Sequence, residues 1–361
     1  MKTYRVAIVG LGRAGSTLDD ELDDGYPRSI GGSCNASSRL ECVAGADTIP
    51  ERVEAFKKRW NVDSGYSDYK EMIEKEKPDL VAVTTTGTGL AKPARKAPSR
   101  DYIEDAHADI SAYASNAGVP MVYSEKAVAC SMVKADALRD ACHQNGTAFN
   151  SGVSRRFTAS FQRMRKAIVD GEIGEPVATV HYASSDLLHG HIHSIDTQSY
   201  LIGDPGVKEI RGELIPRDIK IKDNRLDEDP RSTFQLVFNN GVTGWTVPSG
   251  GWEFEVIGTE GTIRHESSSR QVALRKAAPG GARRAQWEPV NLPPIDPGQG
   301  PVVFALEDMV KAYESGGTTV GNIDVTHNIT EACLGIAESH RRGGEWVSLP
   351  IDNRELYVFH V

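Results

Sequence analysis

Near the start of the chain, the β-rich run Tyr4–Val9 passes directly into Gly10-Leu11-Gly12-Arg13-Ala14-Gly15. This is a G-x-G-x-x-G segment placed straight after a strand, and it limits the fold more than any other feature. Gly10 permits a tight turn, and Gly12 lets the backbone approach a pyrophosphate. Gly15 allows a helix to pack close to the strand, and the helix start favours the phosphate charge. The spacing therefore predicts a dinucleotide loop that opens a helix, with Gly10, Leu11, Gly12, Arg13, Ala14 and Gly15 around the cofactor. An acidic residue at the end of the second strand usually holds the ribose hydroxyl about 20 residues further on. The acid in that place is Asp47, which lies farther along. The stretch 19–38 reads as an insertion between helix and strand. Asp47 would repel a 2′-phosphate, so NAD is expected over NADP, with Arg52 keeping NADP open.

The pattern around the loop agrees with it. Strand-like runs at 40–46, 80–86, 119–123 and 147–152 alternate with helical spacing at 50–60, 69–75, 108–116 and 131–145. Alternation at this pace implies βαβ units and a parallel sheet. Beyond residue 156 the pattern changes. Helices are expected at 159–170 and 192–201. Strands follow through 207–274 without intervening helices, with turns at Asn239-Asn240-Gly241 and 258–261. That pattern implies an antiparallel sheet. Residues 279–301 read as a loop, followed by helices at 302–315 and 323–341 and a last strand near 346–349. The expected fold class is α/β: a doubly wound domain at 1–150, then an α+β domain at 151–361 with a large, mostly antiparallel open sheet.

Composition narrows the function. Lys and Arg total 41 against 50 Asp and Glu, a net charge of −9, which argues against nucleic-acid binding. No apolar run approaches the ~20 residues of a membrane helix. The five cysteines are scattered with no CxxC pair. Neither a disulfide framework nor a zinc site is expected, and a reducing cytoplasm fits best.

Four landmarks then form a recognisable series: the Gly10 loop; Ser124-Glu125-Lys126-Ala127; Ser154-Arg155-Arg156-Phe157; and the run from Leu188 through His189, His191 and His193 to Asp196. In order and spacing the chain resembles the glucose–fructose oxidoreductase, inositol dehydrogenase and rhizopine catabolism family, Gfo/Idh/MocA, over essentially its whole length. The resemblance implies a lysine beside the nicotinamide, here Lys126, and a cofactor-ribose contact, Glu125. Ala127 stands where proline is usual. It implies Thr84, Thr85 and Thr86 lining the cofactor, with His107 following them. The family's second motif, Asp-x-x-x-His-x-x-Asp, aligns on His189, His193 and Asp196, so a histidine replaces the first acid. His193 is then the leading acid/base, because imidazole titrates near physiological pH. A homodimer or homotetramer is implied as well.

Lys126, His193 and His189 are therefore the candidate catalytic residues. Arg155, Arg156 and Asp196 join them as candidate substrate contacts, the arginines for a substrate carboxylate or phosphate. A basic stretch at 92–100 is read as a solvated loop or a wall over an anionic substrate. Trp245, Trp252 and Tyr182 are candidates to stack on a sugar. His189, His191, His193 and Asp196 also resemble a metal set, but no metal is expected. The leading reading is NAD(P)-dependent hydride transfer from a secondary hydroxyl of a sugar, cyclitol or sugar acid. The rivals are a redox-neutral sugar-processing enzyme with retained cofactor and a non-catalytic dinucleotide sensor.

Overall fold

The computed structural model describes residues 2–21, 25–90, 96–99, 105–249, 251–266, 271–277, 287–291 and 298–360. Six strands build the first sheet: β1 (Tyr4–Val9), β2 (Leu40–Ala46), β3 (Ser64–Tyr66), β4 (Leu80–Val83), β5 (Met121–Ser124) and β6 (Ala148–Ser151). Their order is β3-β2-β1-β4-β5-β6, with all pairs parallel. Both faces are covered, so Val6, Ala7, Ile8, Val81 and Val83 are all fully or nearly fully buried. The strand order reverses between β1 and β4, and a crevice opens there at the carboxyl ends of these strands.

The crossovers follow the sequence closely, with one exception. Helices α2 (Pro50–Trp60), α3 (Tyr69–Glu76), α4 (Ala106–Asn116) and α5 (Met132–Asn145) lie where expected, and Gly146 ends α5 in the left-handed region. The expected helix after Gly10 does not form as one piece. A π-helical turn at Arg13–Thr17 and a 3-10 turn at Leu18–Asp20 replace it, and α1 (Ile30–Ala36) follows inside the presumed insertion. The physical reason lies in the intervening residues. Asp19 turns its carboxylate onto the N–H groups of Arg28 and Ser29, and Gly25 and Pro27 interrupt helical continuation. The side chain of Ser29 then caps α1 by accepting from Gly32 N–H at 3.0 Å.

The second sheet is ten-stranded. It contains β7 (Pro176–Tyr182), β8 (Ser185–Asp186), β9 (Val207–Ile215), β11 (Arg231–Phe238), β12 (Thr243–Val247), β13 (Glu253–Gly258), β14 (Gly261–Glu266), β15 (Gln271–Ala277), β16 (Trp287–Asn291) and β17 (Val347–Ser348). The order is β16-β15-β14-β13-β7-β12-β11-β9-β17, and β8 pairs with β11. Only β7 and β12 run parallel. Strand β16 corrects the expectation of an unbroken loop at 279–301. It pairs antiparallel with β15, which supplies the backbone partners that its sequence alone does not suggest. Two further short strands, β10 (Arg225–Leu226) and β18 (Tyr357–Val358), pair parallel on their own.

Helices α6 (Ala159–Val169), α7 (His191–Leu201) and α9 (Ile323–Arg341) cover one face of this sheet. Alternation sets which side chains they meet: Thr179 and His181 point to the helices, and Trp245, paired with Val180, points to the open face. Helix α8 (Pro301–Ser315) does otherwise. It crosses to the first sheet and buries Val302, Ala305, Leu306, Met309 and Val310 among residues of β1, β4 and β5.

Candidate active site

The candidate site lies at the crevice of the first sheet, where the histidine segment before α7 meets Lys126. The glycine loop is held from both sides. Gly10 N–H donates to the Ala46 carbonyl at 2.8 Å, and Thr84 Oγ1 donates to the Gly10 carbonyl at 2.6 Å. Gly10 has φ +91°, and a β-carbon there would lie 2.6 Å from Thr85 N. A β-carbon on Gly15 would lie 2.2 Å from the Gly10 oxygen. Only glycine fits either position. At Gly12 the same construction meets only the Arg52 guanidinium, at 3.9 Å. The loop is therefore packed on its inner side and open on its outer side.

Asp47 sits at the end of β2, as expected. Its carboxylate accepts from Leu11 N–H at 2.8 Å and Ile49 N–H at 2.9 Å, with Arg52 Nη1 3.6 Å away. Thr85 Oγ1 is buried with no hydrogen-bond partner among the described residues, and Thr86 donates to the Leu90 carbonyl. An open glycine cradle, an acid at the strand end and a buried unpartnered hydroxyl between them fit a dinucleotide. The Arg13 side chain is exposed and pairs with Glu21 at 2.6 Å, so only its backbone faces the loop.

Past β5 the chain turns through Glu125, Lys126 and Ala127. Glu125 tucks inward, accepting from the Tyr123 hydroxyl at 3.2 Å and from Lys126 N–H at 3.3 Å. Burial raises its pKa, against the pull of Lys126. The Lys126–Ala127 peptide bond is cis. Lys126 Nζ reaches 3.3 Å from both His189 Nδ1 and the His189 carbonyl. Burial pulls the lysine pKa below its usual value, with Glu125 and Asp229 opposing and Arg155 assisting. The lysine and His189 are thus brought together directly.

His193 lies on the first turn of α7, its Nδ1 buried with no partner. Burial, then Arg155, Lys126 and His189, push its pKa well below the usual range. That direction runs against the expectation of an imidazole that titrates near physiological pH. The other histidines disperse. His191 is bonded to Ser194 Oγ at 3.1 Å and the Ser232 carbonyl at 2.8 Å. Among the described residues no group of three metal-ligating side chains gathers. His107 has one ring nitrogen 2.8 Å from the Ala127 carbonyl and the other 2.9 Å from the Thr85 carbonyl. Its ring lies between the two walls of the cleft and, since burial takes its pKa to about 4, donates to one of the two carbonyls through its single N–H.

The adjacent arginines diverge. Arg156 is fully buried and is spent on Asp196 (2.8 Å) and on both oxygens of Asp204 (2.8 and 2.9 Å). Burial lifts the Asp196 carboxyl to about 6 against that arginine. Arg156 and one oxygen of Asp196 thus anchor α7, while the other Asp196 oxygen is buried without a hydrogen-bond partner among the described residues. Arg155 points the other way, over the Trp252 ring at 5.0 Å, and no carboxylate among the described residues forms an ion pair with it. Burial brings its pKa down to about 10. Trp252 also lies against His181, whereas Tyr182 and Trp245 face the open side of the sheet. Most of the basic stretch at 92–100 lies outside the described residues.

Sequence reading missed Asp229 and His360, which sit directly behind Lys126. Their only sequence trace is an Asp and a His beside two-residue strands too short to show a period.

A doubly wound parallel sheet with a glycine loop at its switch point and a lysine just past β5, met by a histidine segment from the second half of the chain, defines a dinucleotide-binding α/β protein. Residues 4–153 match the model of the Gfo/Idh/MocA family, described as an oxidoreductase family with an NAD-binding Rossmann fold. The inositol 2-dehydrogenase of Salmonella typhimurium is 26% identical over 215 residues, 56% of this chain. The match covers 55% of that relative, so the chain spans about half the length of the curated relatives it matches. The aldose–aldose oxidoreductase of Caulobacter crescentus, solved with glycerol, superposes with a TM-score of 0.73 at 19% identity, covering 96% of this chain and all (100%) of that one. A levoglucosan dehydrogenase solved with NADH and L-sorbose gives 0.73 at 18% identity, covering 97% and 100%. These structural likenesses concern the fold. No described helix is long and apolar enough to cross a membrane.

Proposed function

We propose that the chain is an NAD-dependent dehydrogenase acting on a secondary hydroxyl of a sugar, cyclitol or sugar acid. The observation that carries this reading is the Lys126 amine, poised beside the cofactor crevice and 3.3 Å from His189 Nδ1. When bound, NAD⁺ supplies the hydride acceptor. The residues of the chain handle the proton. Burial disfavours the ammonium and so enlarges the share of neutral Lys126 amine that can take the hydroxyl proton as the carbon is oxidised. His189 is exposed and in contact with that amine, and it passes the proton to water. His193, kept neutral, orients the hydroxyl through its unpartnered Nδ1.

Arg155 narrows the substrate class. A sheltered guanidinium with no carboxylate partner favours an anion. A sugar acid fits better than a neutral polyol for that reason. Self-association through the open face of the second sheet, where Trp245 and Val247 are exposed, belongs to the same reading. Light scattering that gives a monomer would remove that part.

The test is NADH formation across matched neutral and acidic substrates: cyclitols, aldoses, aldonates and uronates. Turnover is expected, strongest with the acids. Loss of a glycoside with no net NADH would replace this reading with the redox-neutral one. Cofactor binding without turnover on any substrate would favour the sensor.

A further inference from the structure

Behind Lys126, stretches far apart in the sequence converge. Asp229, in the turn between β10 and β11, accepts from Leu188 N–H on one oxygen and His189 N–H on the other, each at 2.8 Å. The second oxygen also faces His360 Nδ1 at 3.3 Å. The remaining ring nitrogen of His360 lies 3.3 Å from Ala127 N–H and 3.4 Å from the Lys126 carbonyl. A carboxylate only accepts, so Nδ1 carries the hydrogen and Nε2 is left to accept from Ala127. Burial works to raise the Asp229 pKa, but the His360 ring and the two N–H groups outweigh it and hold the carboxylate ionised.

The backbone is arranged to make this meeting rigid. The parallel pair β10–β18 sets Leu226 beside Val358, Phe359 N–H donates to the Leu226 carbonyl at 3.0 Å, and Val358 N–H donates to the Cys130 carbonyl at 2.9 Å. His360 is 1% exposed and packs on Gly87, where a β-carbon would come within 2.9 Å of the ring. Ala97 N–H, in the segment before α4, donates to the Asp227 carbonyl at 2.9 Å and braces the same turn. The loops that carry Lys126 and His189 thus hang from opposite ends of one Asp–His unit.

We propose that Asp229 and His360 form a positioning clamp that sets the approach of Lys126 to His189, so that the two side chains reach the substrate as a unit. The clamp rests on the dehydrogenase reading given above. Both residues are positioning residues, since they act through the backbone on either side of the cleft.

A reciprocal rescue tests it. Proline at 127 has no N–H and places a ring carbon where that hydrogen points, towards His360 Nε2. Ala127→Pro alone should clash with the imidazole, and His360→Ala alone should leave the N–H unpaired. Each single change is expected to lower kcat/KM roughly 10- to 100-fold through misplacement of the lysine. The double variant should recover most of that loss, because each change removes the fault of the other. Losses that simply multiply would overturn the clamp. Should Ala127→Pro fail to fold, His360→Gln serves instead, since its amide oxygen can accept from Ala127. It is expected to keep more activity than His360→Leu, and equal losses would overturn the clamp.

A second measurement does not depend on turnover. Lys126 is faced by Glu125, Asp229 and Asp186, which hold its proton, and by Arg155, which repels it. Asp229→Asn removes one of the retaining charges. Competitive amine labelling of the holoenzyme, read by peptide mass spectrometry, should show Lys126 titrating at lower pH in that variant. An unmoved midpoint would overturn the clamp. A wild-type protein inert on every substrate would sink the dehydrogenase reading instead, and the labelling result would still decide the clamp.

Discussion

At the scale of single residues, the chemistry turns on the amine of Lys126. Its pKa is lowered, so at a given pH more of it is neutral than for a surface lysine. As pH falls through that lowered value, the amine charges and loses its capacity as a base. The acid limb of kcat/KM is therefore expected to have its midpoint below the ordinary lysine value of 10.5. Lys126→Ala should cost about 10²- to 10⁴-fold in kcat with NADH affinity nearly unchanged. Lys126→Arg should not restore it, since a guanidinium does not give up its proton. Steady-state kinetics and fluorescence titration with NADH check both. Arg155→Leu gives a different signature: KM for an aldonate or uronate should rise roughly tenfold or more, an energy on the order of 1.4 kcal/mol, with little change for a neutral polyol. Equal losses on both substrates would mean that Arg155 does not read charge. Lys126, His189 and His193 stand out as candidates in the sequence because they lie in motifs. The opposite fates of Arg155 and Arg156 were not, because direction within a 3-10 turn depends on partners at Asp196 and Asp204 that no local pattern announces.

Among the elements, the strongly periodic pieces were the legible ones. Apart from β3, which no expected run covers, the strands of the parallel sheet and helices α2 to α9 lie within a few residues of expectation. What sequence reading lost were elements made by partners rather than by their own pattern. Strand β16 exists because β15 offers it an edge, and the β10–β18 pair spans two residues a side. The helix after Gly10 broke because Asp19 found better donors at Arg28 and Ser29. At the start of α4, Asp105 is buried and accepts from Cys130 N–H at 2.6 Å, tying this helix to the chain just past Lys126. Burial raises its pKa from 3.8 to about 7, so the folded state binds its proton more tightly than the unfolded chain does. Stability should therefore decline as pH rises from about 4 to about 7, and the loss is complete above that window. Asp105→Asn should flatten the curve over this range in urea unfolding measured against pH. An unchanged slope would mean that the carboxyl is ionised throughout.

In the molecule as a whole, two helices knit the halves together. Helix α9 lies between the second sheet and α5 of the first half, and Asp136 of α5 meets His327 of α9 at 2.7 Å. Helix α8 returns to the first sheet and seats Leu306 and Met309 there with no exposed surface. Leu306→Ala should cost about 2–5 kcal/mol in denaturant unfolding, as a buried leucine does when its cavity cannot collapse. NADH affinity should weaken alongside, because α8 underlies the strands that carry the glycine loop. The larger consequence concerns exchange. The nucleotide half cannot be inherited or grafted as the first 151 residues alone, since that piece would leave an oily flank where α8 belongs. A recombinant that swaps substrate halves between relatives has to carry residues 301–315 with the half they cover, so the unit that evolution can trade here is discontinuous in the gene.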